Sequence, residues 1–319
     1  MKFENFKNLF RNIPLAGHNT YGVGGRADIL VEVRSKEELK DAIYLANYNH
    51  IPYHILGGGT NTLISDKGFN GMVIKNKIQN IVFDIEKSQL FAGSGISMGA
   101  LINKAKNKGL SGLEWAAGLP GTLGGAIFGN AGSCGGSISE NIDFVEVLDT
   151  VDLSFKIILK DKCHFKYRES FFKDSGYIIV GAMLKLKKDD PVSIMNKMAE
   201  NFLFRRKHQP LSSKSEGCIF KNIDISQQKN LPLKIWKEIP EFSVFIKKGM
   251  IPAGFLIDRA GLKGLKVGEA AVSERHANFI VNLGSAKAED IHKLINKIKD
   301  KVFKKFGVEL EEEVRFLGF

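Results

Sequence analysis

The sequence is poor in the features that mark several specialised classes of protein. Only 3 of its 319 residues are cysteine, and Cys134, Cys163 and Cys218 show no Cys-x-x-Cys spacing. Neither a disulfide framework nor a metal site is therefore predicted, and a reducing compartment is expected. No apolar run approaches the roughly 18 residues that a membrane-spanning helix requires. No GxxxxGK[ST] sequence is present, which argues against a P-loop nucleotide triphosphatase.

Acidic residues are outnumbered by basic ones, and the net charge of +11 favours anionic partners. The lysines are spread through amphipathic stretches and form no long basic tail, which is typical of solvated helical faces. The charge by itself does not choose among nucleic acid, a membrane and a small polyanion, but because the lysines are dispersed no nucleic-acid partner is predicted. With 44% hydrophobic residues, the chain is long enough for two or three globular domains.

Glycine is concentrated in two places. Residues 109–136 contain ten glycines among 28 residues, and residues 57–61 read Gly-Gly-Gly-Thr-Asn. A residue without a Cβ adopts positive φ easily and lets backbone N–H groups approach an anion closely. Glycine also marks tight turns and helix contacts, but two clusters with interleaved Asn, Thr and Pro favour a phosphorylated ligand, most simply a pyrophosphate.

Strand and helix signals alternate along the chain. Ser35 and Glu38 form a capping box that opens a helix, and Asp190 with Pro191 resembles an N-cap and first helical residue. The apolar residues within 3–10 have a near-helical spacing, and they are expected to pack on their own domain. The predicted strands are 28–34, 53–56, 90–95, 144–149 and 177–187, and the predicted helices end near residues 49, 108, 207 and 306.

A dinucleotide-binding fingerprint is nearly matched between the third of these strands and the following helix. Gly93 and Gly95 fit the pattern, but Gly99 arrives one residue late, and no acidic residue ends a clear following strand. A Rossmann site is therefore the second choice for the phosphate site.

Eight segments, in order along almost the whole chain, resemble one enzyme family. The sequence is similar to the UDP-N-acetylenolpyruvoylglucosamine reductases, also called UDP-N-acetylmuramate dehydrogenases. The resemblance lies in NTYGVGGRAD (19–28), LGGGTNTLISD (56–66), GLPGTLGGAIFGNAG (118–132), YRESFFK (167–173), RRKHQP (205–210), SEGCIFKN (215–222), AGFLIDRAGLKG (253–264) and EEVRFLG (312–318).

The resemblance implies a cofactor, a reaction and a fold. It implies non-covalent FAD, NADPH as reductant, and formation of UDP-N-acetylmuramate for peptidoglycan in the bacterial cytoplasm. The stretch 178–205 leaves little room for the tyrosine-bearing loop of the longer type, so the chain resembles the shorter type. The implied fold is α+β, with an FAD-binding fold of the vanillyl-alcohol oxidase (PCMH) type in two α/β subdomains and a C-terminal α/β substrate-binding domain. The expected first flavin subdomain is 1–78 joined by 304–319, the second flavin subdomain is 79–205, and the substrate-binding domain is 206–303.

Three side chains are candidates for the chemistry. Adding hydride to an enolpyruvyl ether drives charge onto the carboxylate and then requires a proton, so a cation, a stabilising acid and a proton donor are needed. Arg168 offers a planar guanidinium that can hold a carboxylate bidentately, although an ion pair with Glu169 would also explain it. The resemblance selects Glu313 as the acid among three adjacent glutamates. It places Cys218 at the proton-donor position, where a thiol is more acidic than the serine usual in the family.

The resemblance also implies binding residues. Flavin contacts are expected at Gly57, Gly58, Gly59, Thr60, Asn61, Gly118, Pro120, Gly121, Thr122, Gly124, Gly125 and Asn130, mainly through backbone N–H groups. Substrate contacts are expected at Lys207, Gln209, Lys221, Asn222 and Arg315. The chain departs from the family at Ile223, where proline is common, and this concerns the shape of the local loop.

Two other classes stay open. One is another FAD-dependent oxidoreductase of the same fold with a covalently attached flavin, for which the glycine-rich segments offer only Cys134 as an attachment point. The other is a non-catalytic, nucleotide-binding regulator, which the presence of residues at all three catalytic positions disfavours. The predicted partner is the UDP-sugar enolpyruvate substrate, and no obligate protein partner is evident from the sequence.

Overall fold

The computed structural model of the chain describes residues 6–227 and 239–319. These residues form two compact units. The first unit draws on residues 6–13, 26–59 and 69–207, and the second on residues 14–25, 60–68, 208–227 and 239–319. Both units contain helices and short sheets, so the expected α+β class is confirmed.

The strands of the described residues range from two to nine residues in length. In chain order they are β1 (Leu9–Pro14), β2 (Arg26–Val33), β3 (Tyr53–Leu56), β4 (Thr62–Ile64), β5 (Phe69–Asn76), β6 (Ile81–Asp84), β7 (Gln89–Gly93), β8 (Leu110–Ser111), β9 (Gly132–Ser133), β10 (Gly136–Ser137), β11 (Ile142–Asp149), β12 (Phe155–Leu159), β13 (Tyr177–Lys185), β14 (Lys187–Lys188), β15 (Ile223–Asp224), β16 (Met250–Ile251), β17 (Lys266–Val267), β18 (Ala270–Val272), β19 (Ile280–Asn282) and β20 (Arg315–Leu317).

The α-helices range from single turns to five turns. In chain order they are α1 (Lys36–Tyr48), α2 (Met98–Lys106), α3 (Leu123–Phe128), α4 (Ile138–Asn141), α5 (Pro191–His208), α6 (Phe242–Lys248), α7 (Ala253–Arg259) and α8 (Ala288–Phe306). Short 3-10 helices lie at Leu15–His18, Glu114–Ala116, Lys160–Cys163, Phe171–Lys173 and Ile225–Gln227.

The first sheet of the first unit has the strand order β1-β2-β5-β3, and β5 runs parallel to both β2 and β3. Helix α1 connects β2 to β3 and packs its apolar face, including Leu39 and Ile43, on this sheet. The predicted helix start is confirmed, because the Ser35 hydroxyl accepts a hydrogen bond from the Glu38 N–H at 3.1 Å. The carboxyl ends of the parallel strands β2, β3 and β5 therefore lie at the same edge of the sheet. The turn that follows β3 begins at this edge, at Gly57.

The second sheet of the first unit is antiparallel, with the order β12-β11-β13-β7-β6. Helices α2 and α3 contribute Leu101, Ile102, Leu123 and Ile127 to the core beside it. The alternative of a Rossmann site at residues 93–99 is not supported. The turn from β7 to α2 does follow a strand and precede a helix, but that strand lies in an antiparallel sheet without the parallel crossover that a dinucleotide fold requires.

The second unit is organised around α8. The predicted apolar stripe of this helix is confirmed as core, because Ile291, Leu294, Ile295, Ile298 and Val302 are all buried. The antiparallel sheet β17-β18-β19 contributes to the same core. The carboxylate of Asp66 accepts hydrogen bonds from the N–H groups of Ala288 and Glu289, at 3.0 and 2.9 Å, and so caps this helix.

Two segments lie elsewhere than the predicted boundaries suggest. Residues 60–68 and 304–319 belong to the second unit, because β4 and β20 pair in parallel there. The three functional domains themselves remain a prediction; residues 26–59 of the first expected flavin subdomain and residues 79–205 of the second lie in the first unit. The near-helical spacing at the amino terminus does not continue as a helix, because β1 begins at Leu9. Of the residues expected to pack on their own domain, Phe6 and Leu9 pack on their own unit, Phe10 is exposed, and Phe3 lies outside the described residues.

Candidate active site

Part of the predicted flavin segment forms a tight turn and a short helix in the first unit. Thr122 caps α3, with its hydroxyl oxygen 3.4 Å from the Gly125 nitrogen. The Gly124 N–H donates to the Ser94 carbonyl at 2.8 Å, and a Cβ on Gly124 would lie only 2.9 Å from the Ser94 Cβ. Glycine is therefore required at position 124 by close packing against Ser94, the residue that follows β7.

The two glycine clusters meet within the first unit. A Cβ on Gly57 would lie 2.6 Å from the Thr122 hydroxyl oxygen, so the turn after β3 touches the cap of α3. Gly59, Gly118 and Gly121 have φ values of +65°, +74° and +104°, which other residues rarely adopt. The structure thus brings Gly57 and the 118–125 segment together, as a shared ligand site requires.

Gly57, Gly58 and the 118–125 segment together form a glycine cradle. The exposed side of this cradle fits a phosphorylated group. Gly58, Gly118, Pro120 and Gly125 are exposed. A Cβ on Gly125 would meet nothing nearer than the Thr122 hydroxyl oxygen at 3.6 Å, so the surrounding protein does not demand glycine there. Glycine at such a position leaves room for the backbone to approach a ligand. The residues present therefore fit the pyrophosphate of FAD.

The sequence analysis missed a buried cation at the same sheet edge. Lys75 in β5 is 7% exposed and pairs in register with Glu32 on β2 and Leu56 on β3, the residue before Gly57. Burial lowers the pKa of Lys75 to about 8, opposed by the charge of Glu32. A lysine within the apolar run of β5 is the signal that could have revealed it.

Arg168 occupies the tip of a two-residue hairpin in the first unit. The backbones of Lys166 and Glu169 exchange two hydrogen bonds, at 3.0 and 3.1 Å, and Arg168 between them has φ of +54°. Its Nη2 donates to the Gly132 carbonyl at 3.1 Å, and its guanidinium lies 5.3 Å from the Tyr167 ring centre. A positive φ is costly for arginine, so the surrounding contacts must hold this turn.

Those contacts come from the glycine-rich segment. The Asn130 side chain, on a residue with φ of +41°, donates to the Lys166 carbonyl at 2.8 Å, and the Ser170 hydroxyl donates to the Phe128 carbonyl at 2.6 Å. The structure therefore joins Asn130, a predicted flavin contact, to the Arg168 hairpin. Glu169, the alternative partner considered for Arg168, pairs with Lys173 at 3.1 Å.

In the second unit, the segment around Cys218 pairs with the segment around Glu313. The Glu313 N–H donates to the Ile219 carbonyl at 2.7 Å, and the Lys221 N–H donates to the Glu311 carbonyl at 2.9 Å. Phe220 and Glu312 form the antiparallel bridge between these bonds. Two predicted catalytic residues that are far apart in the sequence are thereby brought onto adjacent backbone segments.

Two asparagines hold this pair of segments in place. Asn278 is buried, and its side chain accepts from the Phe220 N–H at 3.0 Å and donates to the Phe220 carbonyl at 2.8 Å. Asn61, predicted as a flavin contact, donates through its side chain to the Glu313 carbonyl at 3.0 Å. The sequence analysis missed Asn278, because an asparagine followed by an apolar strand carries no local sign of such a role.

The structure distinguishes the three adjacent glutamates. Glu311 pairs with Lys221 at 2.6 Å, and Glu312 pairs with Lys299 at 2.7 Å. Glu313 is half-buried, and its backbone is fixed at both its N–H and its carbonyl. Two of the glutamates thus have lysine partners of their own, and the third has the most constrained backbone.

The predicted substrate residues lie in both units. Lys207 is exposed near the end of α5 in the first unit. In the second unit, the carbonyl group of the Gln209 side chain is buried and has no hydrogen-bond partner among the residues that the structure describes, and the Asn222 side chain accepts from the Ala253 N–H at 3.2 Å. Arg315 is exposed at the start of β20, and its N–H donates to the Asn61 carbonyl at 3.1 Å.

Two further sequence observations have a structural counterpart. Ile223, where the family has proline, is buried and begins β15, which pairs with β16. Cys134 is exposed in the turn between β9 and β10. Within residues 6–227 and 239–319, no three His, Cys, Asp or Glu side chains are grouped so that they could hold a metal ion. In the same part of the chain, none of the helices is both long and apolar enough to span a membrane.

Comparison with known proteins gives matches along nearly the whole chain. Residues 209–317 match the family model of the C-terminal domain of UDP-N-acetylenolpyruvoylglucosamine reductase, and residues 27–152 match that of an FAD binding domain. The UDP-N-acetylenolpyruvoylglucosamine reductase of Carboxydothermus hydrogenoformans is 40% identical over 310 residues, which cover 97% of this chain and 94% of that protein. The chain belongs to the UDP-N-acetylenolpyruvoylglucosamine reductase family.

Further matches to reductases of this family agree. The reductase of Protochlamydia amoebophila is 37% identical over 310 residues, covering 97% of this chain and 93% of the relative. The crystal structure of the reductase from Thermus caldophilus matches with a TM-score of 0.75 and 34% identity, covering 96% of this chain and 97% of that one. Together with the match over residues 27–152, this confirms the expected FAD-binding fold.

Proposed function

We propose that the protein reduces UDP-N-acetylglucosamine enolpyruvate to UDP-N-acetylmuramate with NADPH and FAD, as a cytoplasmic step in peptidoglycan precursor synthesis. The observation that carries the proposal is the hydrogen bond from the Glu313 N–H to the Ile219 carbonyl. It sets an acid and a thiol on neighbouring segments of a chain that is similar to reductases over its full length. A binding regulator would need neither group.

The cofactor is assigned to the glycine cradle of the first unit. The exposed backbone at Gly58, Gly118 and Gly125 would hold the pyrophosphate, with Thr122 and Asn130 shaping the turn. FAD bound there would supply the hydride chemistry that links NADPH to the terminal carbon of the enolpyruvyl group. The backbone N–H groups of the cradle supply the partial positive charge that a pyrophosphate needs.

Arg168 is assigned to the substrate carboxylate. Hydride addition turns this carboxylate into an enolate-like group with more negative charge, and a guanidinium can hold both of its oxygens. The hairpin fixes the arginine before the reaction, so little reorganisation is needed as charge develops. Glu313 is assigned to hydrogen-bond the same developing charge, which requires its carboxyl group to be protonated at that moment.

Cys218 is assigned as the proton donor. Its thiol S–H bond breaks as a C–H bond forms at the substrate carbon next to the carboxylate, which leaves a thiolate. The thiolate then regains its proton from solvent. Lys207, Gln209, Lys221, Asn222 and Arg315 are assigned to the uridine diphosphate part, where basic and amide donors suit a pyrophosphate.

A flavin titration tests the function as a whole. We expect the purified protein to be yellow, to lose its visible absorbance with NADPH, and to regain it anaerobically when the enolpyruvyl substrate is added. Heat or acid should release intact FAD. A protein that stays colourless with added FAD would exclude the proposal, and flavin retained on the denatured chain would favour the covalent oxidase class, with Cys134 as the attachment point to check.

Variants of Cys218 test the assignment of the donor. Cys218→Ala should leave flavin reduction by NADPH unchanged and slow reoxidation by substrate by orders of magnitude, because only the second step needs the proton. Cys218→Ser should keep appreciable activity, and its rate should lose the part of the alkaline decline that comes from the thiol. Reoxidation of the alanine variant at the wild-type rate would show that Cys218 is only a packed thiol.

A further inference from the structure

A carboxyl group in the second unit lies buried without a hydrogen-bond partner. Glu216 is 3% exposed, and neither of its side-chain oxygens has a partner within residues 6–227 and 239–319. Tyr21 is fully buried, and its hydroxyl group likewise has no partner there. Buried polar atoms are normally satisfied, so two such groups in one unit require an explanation.

The position of these groups is fixed by the surrounding protein. Tyr21 belongs to the main apolar core of the second unit together with Ile219 and Phe220, and its carbonyl accepts from the Asn282 side chain at 2.9 Å. Its turn is closed by Asn19, whose side chain accepts from the Gly22 N–H at 3.0 Å. Tyr21 is therefore held in place by the core and by its closed turn, and the segment of Glu216 is fixed three residues later, where the Ile219 N–H donates to the Asn278 carbonyl at 2.8 Å.

The surroundings of Glu216 favour its uncharged form. An unpaired carboxylate in an apolar core costs far more free energy than the neutral acid. Burial raises the pKa of Glu216 well above its ordinary value, and the nearby Thr62 N–H, which does not reach hydrogen-bond geometry, opposes this to a smaller extent. Burial also raises the pKa of Tyr21, and the charge of Glu216 adds a smaller contribution, so the two groups are near enough to interact. No lysine or arginine of the described chain forms an ion pair with Glu216.

The location of Glu216 connects it to the proposed chemistry. It precedes Cys218 by two residues, and Gly217 between them has φ of +83°, so the chain turns sharply from the buried acid to the thiol. The next residue, Ile219, accepts the Glu313 N–H. Any negative charge on Glu216 would lie close to the segment that must supply a proton to an increasingly anionic substrate.

We propose that Glu216 is a positioning residue: a neutral carboxylic acid that, with the Tyr21 hydroxyl, anchors the Cys218 turn through ordered water and keeps negative charge away from the proton donor. The role in catalysis rests on the proposed function. The neutral state of Glu216 does not, and it can be measured without cofactor or substrate. A water needs two to four polar partners, and the two oxygens of Glu216 with the Tyr21 hydroxyl supply three.

Infrared spectroscopy of the flavin-free protein tests the neutral state. At neutral pH we expect a carbonyl stretch of a protonated carboxylic acid that disappears in Glu216→Gln and persists in the exposed control Glu309→Gln. Tyr21→Phe should shift this band, because one partner of the ordered water is lost. Absence of the band in the wild type, or its persistence in Glu216→Gln, would overturn the proposal.

Thermal unfolding gives a second measurement that is independent of activity. The unfolded chain releases the Glu216 proton near the ordinary glutamate pKa, whereas the folded chain retains it to higher pH. The contribution of Glu216 to the free energy of unfolding is therefore complete at low pH. It is lost as the pH rises towards the pKa that Glu216 has in the folded protein. The wild type should lose stability relative to Glu216→Gln over this range, while Glu309→Gln follows the wild type. If the stability of all three proteins changed with pH in the same way, a neutral Glu216 would be contradicted.

The pH profile of substrate reduction tests the positioning role. In the Cys218→Ser background the thiol cannot ionise, so the alkaline decline that remains contains the ionisation of Glu313 and of Glu216, and adding Glu216→Gln should move this decline to higher pH. The same decline with and without Glu216→Gln would overturn the role of Glu216 in catalysis. If even the wild type fails to reoxidise with the enolpyruvyl substrate, the proposed function fails, and the infrared and stability measurements still decide the neutral state.

Discussion

The two units hold their candidate catalytic residues by different means. In the first unit, Arg168 stands on a hairpin with positive φ that is tied to the glycine-rich segment, so backbone conformation sets its position. In the second unit, the segments of Cys218 and Glu313 meet at one antiparallel bridge, and the amide side chains of Asn278 and Asn61 hold them together.

This difference determines which changes each unit should tolerate. A site set by backbone conformation is sensitive to any added Cβ at its turns, while conservative changes of neighbouring side chains cost little. A site set by amide clamps is sensitive to the loss of a single side chain that never touches the ligand, because buried backbone groups then lose their partners. The following predictions test this contrast.

The largest effect is expected from Arg168→Lys. Lysine keeps the charge and meets the same positive φ, so the change removes only the planar fork. Turnover should fall roughly 100- to 1000-fold, about 3–4 kcal/mol in barrier, with a smaller change in substrate binding. Steady-state kinetics measures both, and Arg34→Lys, on the surface of the same unit, is the control. Unchanged turnover would mean that Arg168 has a structural role.

In the second unit, Asn278→Ala should be the most damaging change outside the proposed catalytic residues. The buried N–H and carbonyl of Phe220 would both lose their side-chain partner, which should cost about 2–4 kcal/mol in free energy of unfolding. Denaturant unfolding measures this loss, and the exposed Asn296→Ala on α8 should stay near the wild type. If both variants unfold alike, the clamp contributes nothing, and the contrast between the units is lost.

Neighbouring glycines in α3 should respond in opposite ways. Gly124→Ala should destabilise the flavin-free protein by about 1–3 kcal/mol, because its Cβ overlaps Ser94. Gly125→Ala should leave that stability unchanged or raise it by less than about 1 kcal/mol, since its Cβ meets no close atom, while weakening FAD binding. Unfolding without flavin and FAD titration separate the two effects. Equal FAD affinity for Gly125→Ala and the wild type would remove Gly125 from the cofactor site.

The smallest effects are expected from Glu311→Gln and Glu312→Gln. Each variant breaks one lysine pair at or near the surface, which should cost about 0–1 kcal/mol in stability. Turnover should stay close to the wild type, in contrast to Glu313→Gln. Kinetics of the three variants side by side checks the choice of Glu313, and a large loss of turnover in either of the first two would reassign the acid.

Much of the fold was predictable because its signals are local. Ser35 and Asp190 do begin helices, since a cap needs only the residues of the next turn, and the Asp190 carboxylate accepts from the Ser193 N–H at 3.0 Å. Strand β3 was predicted with its observed bounds. The near-helical spacing of apolar residues at the amino terminus does not correspond to a helix, because a few apolar residues can suit either a helix or an edge strand. Pairing of β1 with a neighbouring strand decided the outcome.

The order of motifs in the sequence by itself determined the family, and the glycine clusters determined that a phosphorylated ligand was expected. Only the tertiary structure decided how the site is held together. Asn278 reaches Phe220 across 58 residues, and Asn61 reaches Glu313 across 252. The unpartnered carboxyl of Glu216 likewise depends on what covers it. Periodicity and capping act within a few residues, whereas burial and long-range hydrogen bonds depend on the neighbours that the complete fold supplies.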